Sequence, residues 1–219
     1  GASTATAAVA LTFTSNEATS DFAQADITES GCTLGTFGTT SSTVYTDTCT
    51  ASSDGTPAIA VAAGEFSDAS SNTNSVSNTY TWTYDTTGPT MTITSATVDS
   101  GSDTNTAAVV LVYTSNEATS DFAEADITET GCSTGTFTTT STTVYGSTCT
   151  ASSEGTPTVL VAAGAFNDAT SNDNTASNTY TWTYDTTVPT IGITSIASDD
   201  YVNEDEYEDD GFDVVGSVS

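Results

Sequence analysis

Carboxylates are the main chemically active side chains of this chain, and they have no basic partners. Its 219 residues include 29 Asp and Glu and no Lys, Arg or His, for a formal net charge of −29 at pH 7. The side chains that most often serve as catalytic base, Schiff-base amine or anion clamp are therefore missing. We predict that the chain is not an enzyme. A glycosidase with two paired carboxylates is the catalytic alternative that these residue types leave open.

The same charge restricts the partners of the chain. Proteins bind phosphate groups largely through Lys and Arg, so nucleic acid and anionic membrane surfaces are excluded. No apolar run approaches the roughly 20 residues that a membrane helix needs, so we expect no membrane insertion. The carboxylates must instead be solvated, hydrogen-bonded or neutralised by external cations.

Oxygen-donor side chains recur in settings that suit calcium, a hard cation that takes six to eight oxygen ligands. An acidic stretch and an Asp/Asn-rich loop each occur twice, and further carboxylates flank two Thr-Thr-x-Pro motifs. The candidate ligands are Glu17, Asp21, Asp26, Asp68, Asn72, Asp85, Glu117, Asp121, Asp126, Asp168, Asn172, Asp185, Asp199 and Asp200. None fits the EF-hand loop. The alternative for each is a solvated turn, because Asp and Asn hydrogen-bond locally to the backbone.

The four cysteines fall into two pairs, Cys32 with Cys49 and Cys132 with Cys149. Four cysteines allow three connectivities. Repeat symmetry favours the two bridges within these pairs, because each domain then folds with its own covalent link. Buried free thiols on facing strands are the alternative, and a metal site is disfavoured without His or a Cys-x-x-Cys spacing. Disulfides predict an oxidising compartment outside the cytoplasm.

An internal repeat determines where all these residues lie. The segment Thr14–Ala23 recurs without gaps as Thr114–Ala123, at an offset of 100 residues. This period matches the size of one β-sandwich domain. The predicted domains are a first repeat without its first strand at 1–87, a complete repeat at 88–187, and the start of a third domain with an acidic loop at 188–219.

The alternation of aromatic residues and Thr predicts a half-buried strand near the end of each repeat. Tyr180, Trp182 and Tyr184 share one face and the threonines between them share the other. The predicted strands of the second repeat are Met91–Thr97, Ala107–Thr114, Ile127–Ser133, Gly135–Thr140, Thr143–Ala151, Val159–Ala163 and Thr179–Tyr184. Segment 115–125 fits a single helical turn or an irregular crossing loop. Seven short strands without helical periodicity predict an all-β sandwich.

Several motifs in order resemble the bacterial Ig-like repeats of large secreted surface adhesins and matrix proteins. They include Ser-Asn-Glu-Ala-Thr-Ser-Asp-Phe-Ala, Gly-Cys, Thr-Val-Tyr, and Trp-Thr-Tyr-Asp-Thr-Thr-x-Pro-Thr, and they cover residues 1–187. The resemblance implies tandem immunoglobulin-like β-sandwiches of about seven antiparallel strands. It also implies an extracellular stalk-like or adhesive role, often with bound calcium, and no catalytic residues. The cysteines and the absence of Lys and Arg depart from the family pattern.

The leading functional prediction is a structural module in the stalk or filament of a surface adhesin or matrix protein. The alternative is a calcium-dependent carbohydrate-binding module that grips extracellular glycans with loops and aromatic side chains. The two repeats are nearly identical and their aromatic residues follow strand alternation. This favours a spacer over a binding module, because binding loops are expected to carry exposed aromatics that differ from the scaffold.

The two ends of the chain suggest how copies associate. The first repeat lacks a counterpart of residues 89–98, whereas Pro189–Ala197 parallels that segment. Either the chain is an excerpt of a longer array, or copies join head to tail by donating a strand. The dense acidic stretch 198–213 is expected to form a loop of the third domain, between a strand at 191–197 and another at 211–219.

Overall fold

A computed structural model describes residues 1–19, 21–119, 121–193 and 216–218. The described residues form short strands in facing sheets, and the predicted all-β sandwich is confirmed. The helical elements in this part of the chain are two single 3-10 turns, Gln24–Asp26 and Glu124–Asp126. The second turn lies at the end of segment 115–125, for which the sequence predicted a helical turn or a crossing loop.

The first repeat contains nine strands. They are β1 (Ser3–Thr4), β2 (Ala8–Thr14), β3 (Ile27–Ser30), β4 (Cys32–Leu34), β5 (Gly38–Ser41), β6 (Val44–Ala51), β7 (Ala58–Val61), β8 (Tyr80–Thr81) and β9 (Thr83–Tyr84). One sheet has the order β2-β6-β4, with β5 also paired to β6, and the facing sheet has the order β3-β7-β8. The short strand β1 runs parallel to β9.

The second repeat has the same arrangement and one further strand. Its strands are β10 (Met91–Thr94), β11 (Asp103–Thr104), β12 (Ala108–Ser115), β13 (Ile127–Thr130), β14 (Cys132–Thr134), β15 (Thr138–Thr139), β16 (Val144–Ala151), β17 (Thr158–Val161), β18 (Tyr180–Thr181) and β19 (Thr183–Tyr184). The added strand β10 pairs antiparallel with β12 at the edge of the larger sheet. Residues Ile191–Ile193 (β20) pair with Gly216–Val218 (β21), and the acidic stretch 198–213 lies outside the described residues.

Two details of the predicted strand pattern are wrong. The sandwich is not antiparallel throughout, because β11 runs parallel to β19. The predicted strand Ile127–Ser133 is two strands in opposite sheets, since β13 pairs with β17 whereas β14 pairs with β16. Between them the chain crosses the sandwich at Gly131, whose φ of +73° is a left-handed conformation that glycine adopts without strain.

Each repeat has its own apolar core, built from the inward residues of both sheets. Trp82 and Trp182 are buried in these cores, in agreement with the period-2 pattern. Their neighbours differ: Tyr180 is 2% exposed, whereas Tyr80 is 48% exposed. The threonines between the aromatics, such as Thr181, are half-buried rather than fully outward. The contrast between the two tyrosines follows from strand β10, which only the second repeat has among the described residues.

Candidate metal centre at the repeat junction

Three carboxylates meet where the first repeat joins the second. One oxygen from each of Asp85, Glu117 and Asp168 can be chosen so that all three lie within 4.8 Å of one another. Asp85 directly follows β9, Glu117 lies just beyond β12, and Asp168 belongs to the Asp/Asn loop between β17 and β18. One ligand therefore comes from the first repeat and two come from the second.

Asp168 is fixed by its own loop. It is 6% exposed, and its carboxylate accepts hydrogen bonds from the backbone N–H of Thr170 at 2.8 Å and of Asn172 at 2.9 Å. The Thr170 hydroxyl and the Asn172 amide also donate to it. This turn leaves the carboxylate with little rotational freedom, so its position is set before any ligand arrives.

Asn172 links this loop to the first repeat. Its side-chain amide donates to the backbone carbonyl of Asp85 at 3.1 Å. Beside it, the backbone N–H of Thr175 donates to the carbonyl of Pro89 at 2.9 Å. A Cβ on Gly88 would collide with the carbonyl oxygen of Asp173, so only glycine allows this close approach of linker and loop. The junction is therefore a packed, hydrogen-bonded contact.

Mutual repulsion of the three carboxylates governs the electrostatics of the cluster. Burial raises the pKa of Glu117, and the nearby carboxylates of Asp85 and Asp168 raise it further. Glu117 Oε1 is buried and has no hydrogen-bond partner among the described residues. Burial also opposes the charge of Asp168, yet the hydrogen bonds from Asn172 and Thr170 hold its pKa below the usual value. A divalent cation would satisfy Glu117 and screen all three charges.

A second acidic feature, which the sequence analysis missed, fixes the linkers themselves. Asp54 accepts hydrogen bonds from the backbone N–H and the hydroxyl of Thr86 at 3.0 and 2.8 Å, and from the Thr87 hydroxyl at 2.6 Å. Glu154 makes the equivalent bonds to Thr186 and Thr187. These bonds lower the pKa of Asp54 and Glu154. The sequence did contain a signal for this feature, because an acidic residue directly precedes Gly-Thr-Pro in both repeats.

Four other predicted ligands of the acidic stretches accept hydrogen bonds from the backbone. Asp26 and Asp126 each accept the backbone N–H three residues earlier, at 2.8 Å, and so close the 3-10 turns. Asp21 accepts from the backbone N–H and hydroxyl of Ser67, and Asp121 accepts from the Asn167 backbone. Asp26 and Asp126 thus bond locally, as the turn alternative expects, whereas Asp21 and Asp121 tie the acidic stretch to the Asp/Asn loop.

Two of the three positions of the cluster have counterparts among the described residues of the first repeat. Glu17 and Asp68 are the counterparts of Glu117 and Asp168, and Asn72 bonds to Asp68 as Asn172 does to Asp168. Within the described residues, no third carboxylate joins them in a group of this kind. Asp185, the counterpart of Asp85, accepts the Thr187 backbone N–H at 2.8 Å. Asp199 and Asp200 lie outside the described residues.

Both disulfides lie within single repeats, as repeat symmetry predicts. Cys32 bonds to Cys49 and Cys132 bonds to Cys149, with Cα separations of 5.7 and 5.8 Å. Each bridge links adjacent strands of the larger sheet, since β4 pairs with β6 and β14 with β16. The sulfur-bearing residues on the central strands, Cys49 and Cys149, are fully buried. The bridges therefore belong to the cores.

The fold and the junction together define tandem immunoglobulin-like β-sandwich modules. Residues 1–84 match the sequence model of the bacterial Ig-like domain, and the second repeat carries the same motifs. A comparison with curated proteins finds no match. In the described part of the chain, no helix is long and apolar enough to cross a membrane.

Solved structures of low sequence identity show similarity over most of the chain. InvD of Yersinia pseudotuberculosis matches with 16% identity and a TM-score of 0.43, over 90% of this chain and 62% of that protein. The Y. pseudotuberculosis adhesin InvE matches with 14% identity and a TM-score of 0.29, over 84% and 55%. A Bacteroides ovatus protein of the mixed-linkage glucan utilization locus, SGBP-B, solved with a mixed-linkage heptasaccharide, matches with 16% identity and a TM-score of 0.25, over 93% and 47%. Such similarities carry no argument about functional residues.

Proposed function

We propose that the chain is a structural, non-catalytic segment of an extracellular stalk or filament, in a surface adhesin or matrix protein. The observation that carries this proposal is the packed junction between two nearly identical sandwiches. There Asn172, Thr175 and Gly88 hold the linker against the second repeat. A binding module needs only one folded sandwich, whereas a spacer needs consecutive sandwiches at a fixed angle.

Calcium stiffening of this junction is part of the proposal. Asp85, Glu117 and Asp168 would supply carboxylate oxygens from both repeats, so one ion would bridge the two sandwiches. Nearby backbone carbonyls and water would complete the six to eight ligands that calcium takes. The raised pKa of Glu117 and its unpartnered buried oxygen support the need for a cation. Among the other predicted ligands, Asp26 and Asp126 close their own turns, and Asp21 and Asp121 are bonded to the start of the Asp/Asn loop, so we expect them to contribute less.

The experiment compares the junction with and without calcium. Small-angle X-ray scattering of the whole chain should give a longer, narrower distance distribution in calcium than in chelator. The melting temperature should also rise with calcium, because an ion that binds only the folded state stabilises it by mass action.

A matched pair of variants assigns the effect to the junction. Glu117→Gln should remove most of the calcium response, whereas Glu17→Gln, at the equivalent position of the first repeat, should leave it intact. The same scattering curve and melting temperature in calcium and in chelator would contradict the calcium site. Independent tumbling of the two repeats in both conditions would contradict the stalk proposal itself.

Head-to-tail assembly of copies completes the proposed function. At the far end of the second repeat, Val188 is 72% exposed and Ile191 is 75% exposed. Apolar side chains so exposed on a chain of net charge −29 favour a contact with another sandwich. A head-to-tail contact of this kind does not close on itself, so it builds a filament.

A further inference from the structure

The last segment of the second repeat, residues 181–187, is hydrogen-bonded on both of its sides. It contains the end of β18, all of β19 and the start of the following linker. On one side, β19 runs parallel to β11. On the other side, the segment meets the loop between β16 and β17, which contains Glu154 and Gly155. Two parts of the repeat that are distant in sequence therefore hold this segment between them.

Backbone hydrogen bonds follow the parallel side of segment 181–187. The Thr183 N–H donates to the Ser102 carbonyl at 2.9 Å. The Asp185 N–H donates to the Thr104 carbonyl at 3.1 Å. Bonds between parallel strands are evenly spaced along the pair. The pairing with β11 therefore continues beyond β19 to the first residue of the linker.

Glu154 closes the other side of the segment, where the linker leaves the repeat. Its carboxylate accepts the backbone N–H of Thr186 at 2.8 Å and the Thr187 hydroxyl at 2.9 Å, and the Thr186 hydroxyl also donates to it. Beside it, Tyr184 and Gly155 exchange two backbone hydrogen bonds, at 2.8 and 3.0 Å. Hydrogen bonds to an ionised carboxylate are about twice as strong as those between neutral groups. The carboxylate therefore fastens the linker to the loop.

The first repeat has the same arrangement at the end of β9. There β1 runs parallel to β9, and Asp54 takes the place of Glu154. Asp54 uses both of its carboxylate oxygens to accept hydrogen bonds from Thr86 and Thr87. The adjacent glycine again exchanges two backbone hydrogen bonds with the last tyrosine of the strand, both at 2.9 Å. Both repeats thus use a carboxylate in the same way, although the two side chains differ by one methylene.

The parallel pairing determines how a pull along the chain reaches these bonds. In a parallel pair, the chain enters one strand and leaves the other at opposite ends of the pair. A force that draws the two ends of the second repeat apart therefore acts along β11 and β19 and stretches all their hydrogen bonds together. If both strands were pulled from the same end, the same bonds would open one after another.

We propose that Glu154, and Asp54 in the first repeat, act as latches that keep a pull on the linker directed along the paired strands. This inference rests on the proposed stalk, because it names the residues through which tension passes from one sandwich to the next. The carboxylate bonds are the first that tension meets from the linker side. Without them, the linker lifts away from the loop, and the backbone bonds between Tyr184 and Gly155 open next, before the rest of the segment.

The position of the two carboxylates supports a role under tension. Glu154 and Asp54 are exposed, so neither belongs to an apolar core. Water replaces their hydrogen bonds after unfolding, so these bonds add little to stability at equilibrium. Forced unfolding instead follows the rate at which a folded repeat opens. A latch therefore acts mainly on the rate of opening under tension.

Single-molecule force spectroscopy of the whole chain, held by its two ends at constant force, tests the proposal. Chelator in the buffer makes the measurement independent of calcium. Glu154→Ala should raise the unfolding rate of one repeat about tenfold, and Asp54→Ala should do the same for the other. Glu154→Asp copies the latch of the first repeat and should keep the slow rate. Glu129→Ala removes the same charge from an exposed position on β13 and should change neither rate.

The disulfides identify the events that are counted. The Cys132–Cys149 bridge has a sequence separation of 17 and a Cα separation of 5.8 Å. A bridged repeat therefore releases about 50 Å less chain on unfolding than its number of residues allows. Events with this shortening are the unfolding of a complete, bridged repeat, which excludes partial opening of a linker from the rates.

The direction of the pull provides a second test that removes no hydrogen bond. One handle is attached to an azide-bearing residue in place of Asn105, which is exposed and directly follows β11. Position 105 and the exit from β19 lie at the same end of the parallel pair. Pulling between this handle and the C-terminal end should therefore open the second repeat at a lower force than pulling between the two chain ends. Equal forces in the two directions would overturn the proposal.

The dependence on force separates a latch from an ordinary stabilising contact. The ratio of the Glu154→Ala rate to the parent rate should grow with force, because bonds that open one by one extend the chain further before the barrier is crossed. In urea without force, the two rates should be nearly equal. Unchanged rates under force, or a ratio that is the same in urea and at every force, would overturn the latch.

The latch and the stalk fail separately in these experiments. A pair of repeats that scatters as a rigid body but unfolds at rates unaffected by Glu154→Ala and Asp54→Ala would overturn the latch and leave the stalk. Independent tumbling of two repeats whose unfolding under force depends on these carboxylates would contradict the stalk and leave the latch as a property of each sandwich.

Discussion

At the scale of single residues, the two repeats carry different polar side chains at the same buried position, Asp47 in the first and Ser147 in the second. In the first repeat, Asp47 is 4% exposed and its carboxylate accepts hydrogen bonds from Gln24 Nε2 and from the Gly35 and Thr48 backbone, at 2.7–3.0 Å. In the second repeat, Ser147 takes this position and bonds to the Tyr113 hydroxyl at 2.9 Å. Without basic residues, a buried carboxylate depends on such neutral donors.

Gln24→Glu is expected to destabilise the first repeat. The substitution removes a donor to a buried carboxylate and places a second carboxylate beside it, which costs about 1–3 kcal/mol for the unsatisfied group alone. Thermal or urea unfolding of the variant would measure the loss. Glu124→Gln is the matched control, because Ser147 replaces Asp47 in the second repeat and the change should be nearly neutral. Equal effects of the two substitutions would contradict this account.

The pH dependence of stability has two parts of opposite sign. The pKa of Glu117 is raised by burial and by neighbouring carboxylates, so the folded state favours its protonated form. Its contribution is therefore most favourable at low pH and is lost as the pH rises through its folded-state pKa. Hydrogen bonds hold other carboxylates below their ordinary pKa, so their contribution is present above that value and is lost at lower pH. These are Asp21, Asp54, Asp68, Glu154 and Asp168.

In chelator, the free energy of unfolding should therefore rise as the pH falls from neutral towards the titration of Glu117. It should then fall below the ordinary Asp pKa of 3.8, where the hydrogen-bonded carboxylates take up protons. Urea unfolding between pH 3 and pH 7 measures both limbs. Glu117→Gln should remove the pH dependence between neutral pH and the titration of Glu117, and it should leave the loss of stability below pH 3.8 unchanged. If the unfolding free energy of the variant changed with pH in this upper range as it does in the parent chain, the assignment to Glu117 would be wrong.

At the scale of elements, strand β10 is the main difference between the repeats. It buries Met91 to 3% and Ile93 to 2% exposure and completes the core around Tyr180. The first repeat has the same disulfide and the same buried tryptophan, and no strand among the described residues pairs with the other edge of β2. Within the described residues the two sandwiches thus share a sequence pattern and differ in how completely their cores are covered.

Thermal unfolding should accordingly show the first repeat melting before the second. Ile93→Ala removes buried methyl groups from β10 and should cost the second repeat about 2–5 kcal/mol. Calorimetry, with the fluorescence of Trp82 and Trp182 separated by single Trp→Phe variants, would assign the two transitions. Leu34→Ala, at a half-buried position in the first repeat, should shift only the earlier transition. A single transition, or a first repeat that melts last, would contradict the role given to β10.

At the scale of the whole molecule, the absence of basic side chains makes every pair of charged side chains repulsive. The net charge is −29, and carboxylates can only be bonded to neutral donors or screened by ions. Added salt therefore has no attractive side-chain pair to weaken. This situation differs from that of an ordinary domain, in which salt screens favourable and unfavourable pairs together.

Monovalent salt is therefore expected to raise the melting temperature of the chain steadily, without a maximum at moderate ionic strength. The measurement is differential scanning calorimetry from low to high NaCl in the presence of chelator. Calcium at equal ionic strength should raise the melting temperature further and then reach a plateau, because it binds a specific site in addition to screening the repulsion between carboxylates. A melting temperature that falls as NaCl is added would contradict the view that the charged side chains only repel one another.

Features that depend on local patterns could be predicted from the amino-acid sequence. Alternation of Tyr, Trp and Thr encodes strands with a buried face, and the 100-residue repeat fixes which cysteines belong to one domain. These patterns predicted the all-β sandwich and favoured the bridges Cys32–Cys49 and Cys132–Cys149, which the structure confirms. Local alternation suffices here because the strand period depends only on neighbouring residues.

Only the tertiary structure decided which of the many similar carboxylates meet. Asp85, Glu117 and Asp168 are distant in sequence and lie on different elements, so the loop packing at the junction decides their convergence. The sequence patterns around Asp68 and Asp168 are nearly identical, yet within the described residues it is the second loop that meets the end of a preceding repeat. The exposure of Tyr80 likewise depends on the neighbouring strand rather than on its own pattern. Contacts between separate elements are long-range, and a repeated local sequence cannot encode a difference between its two copies.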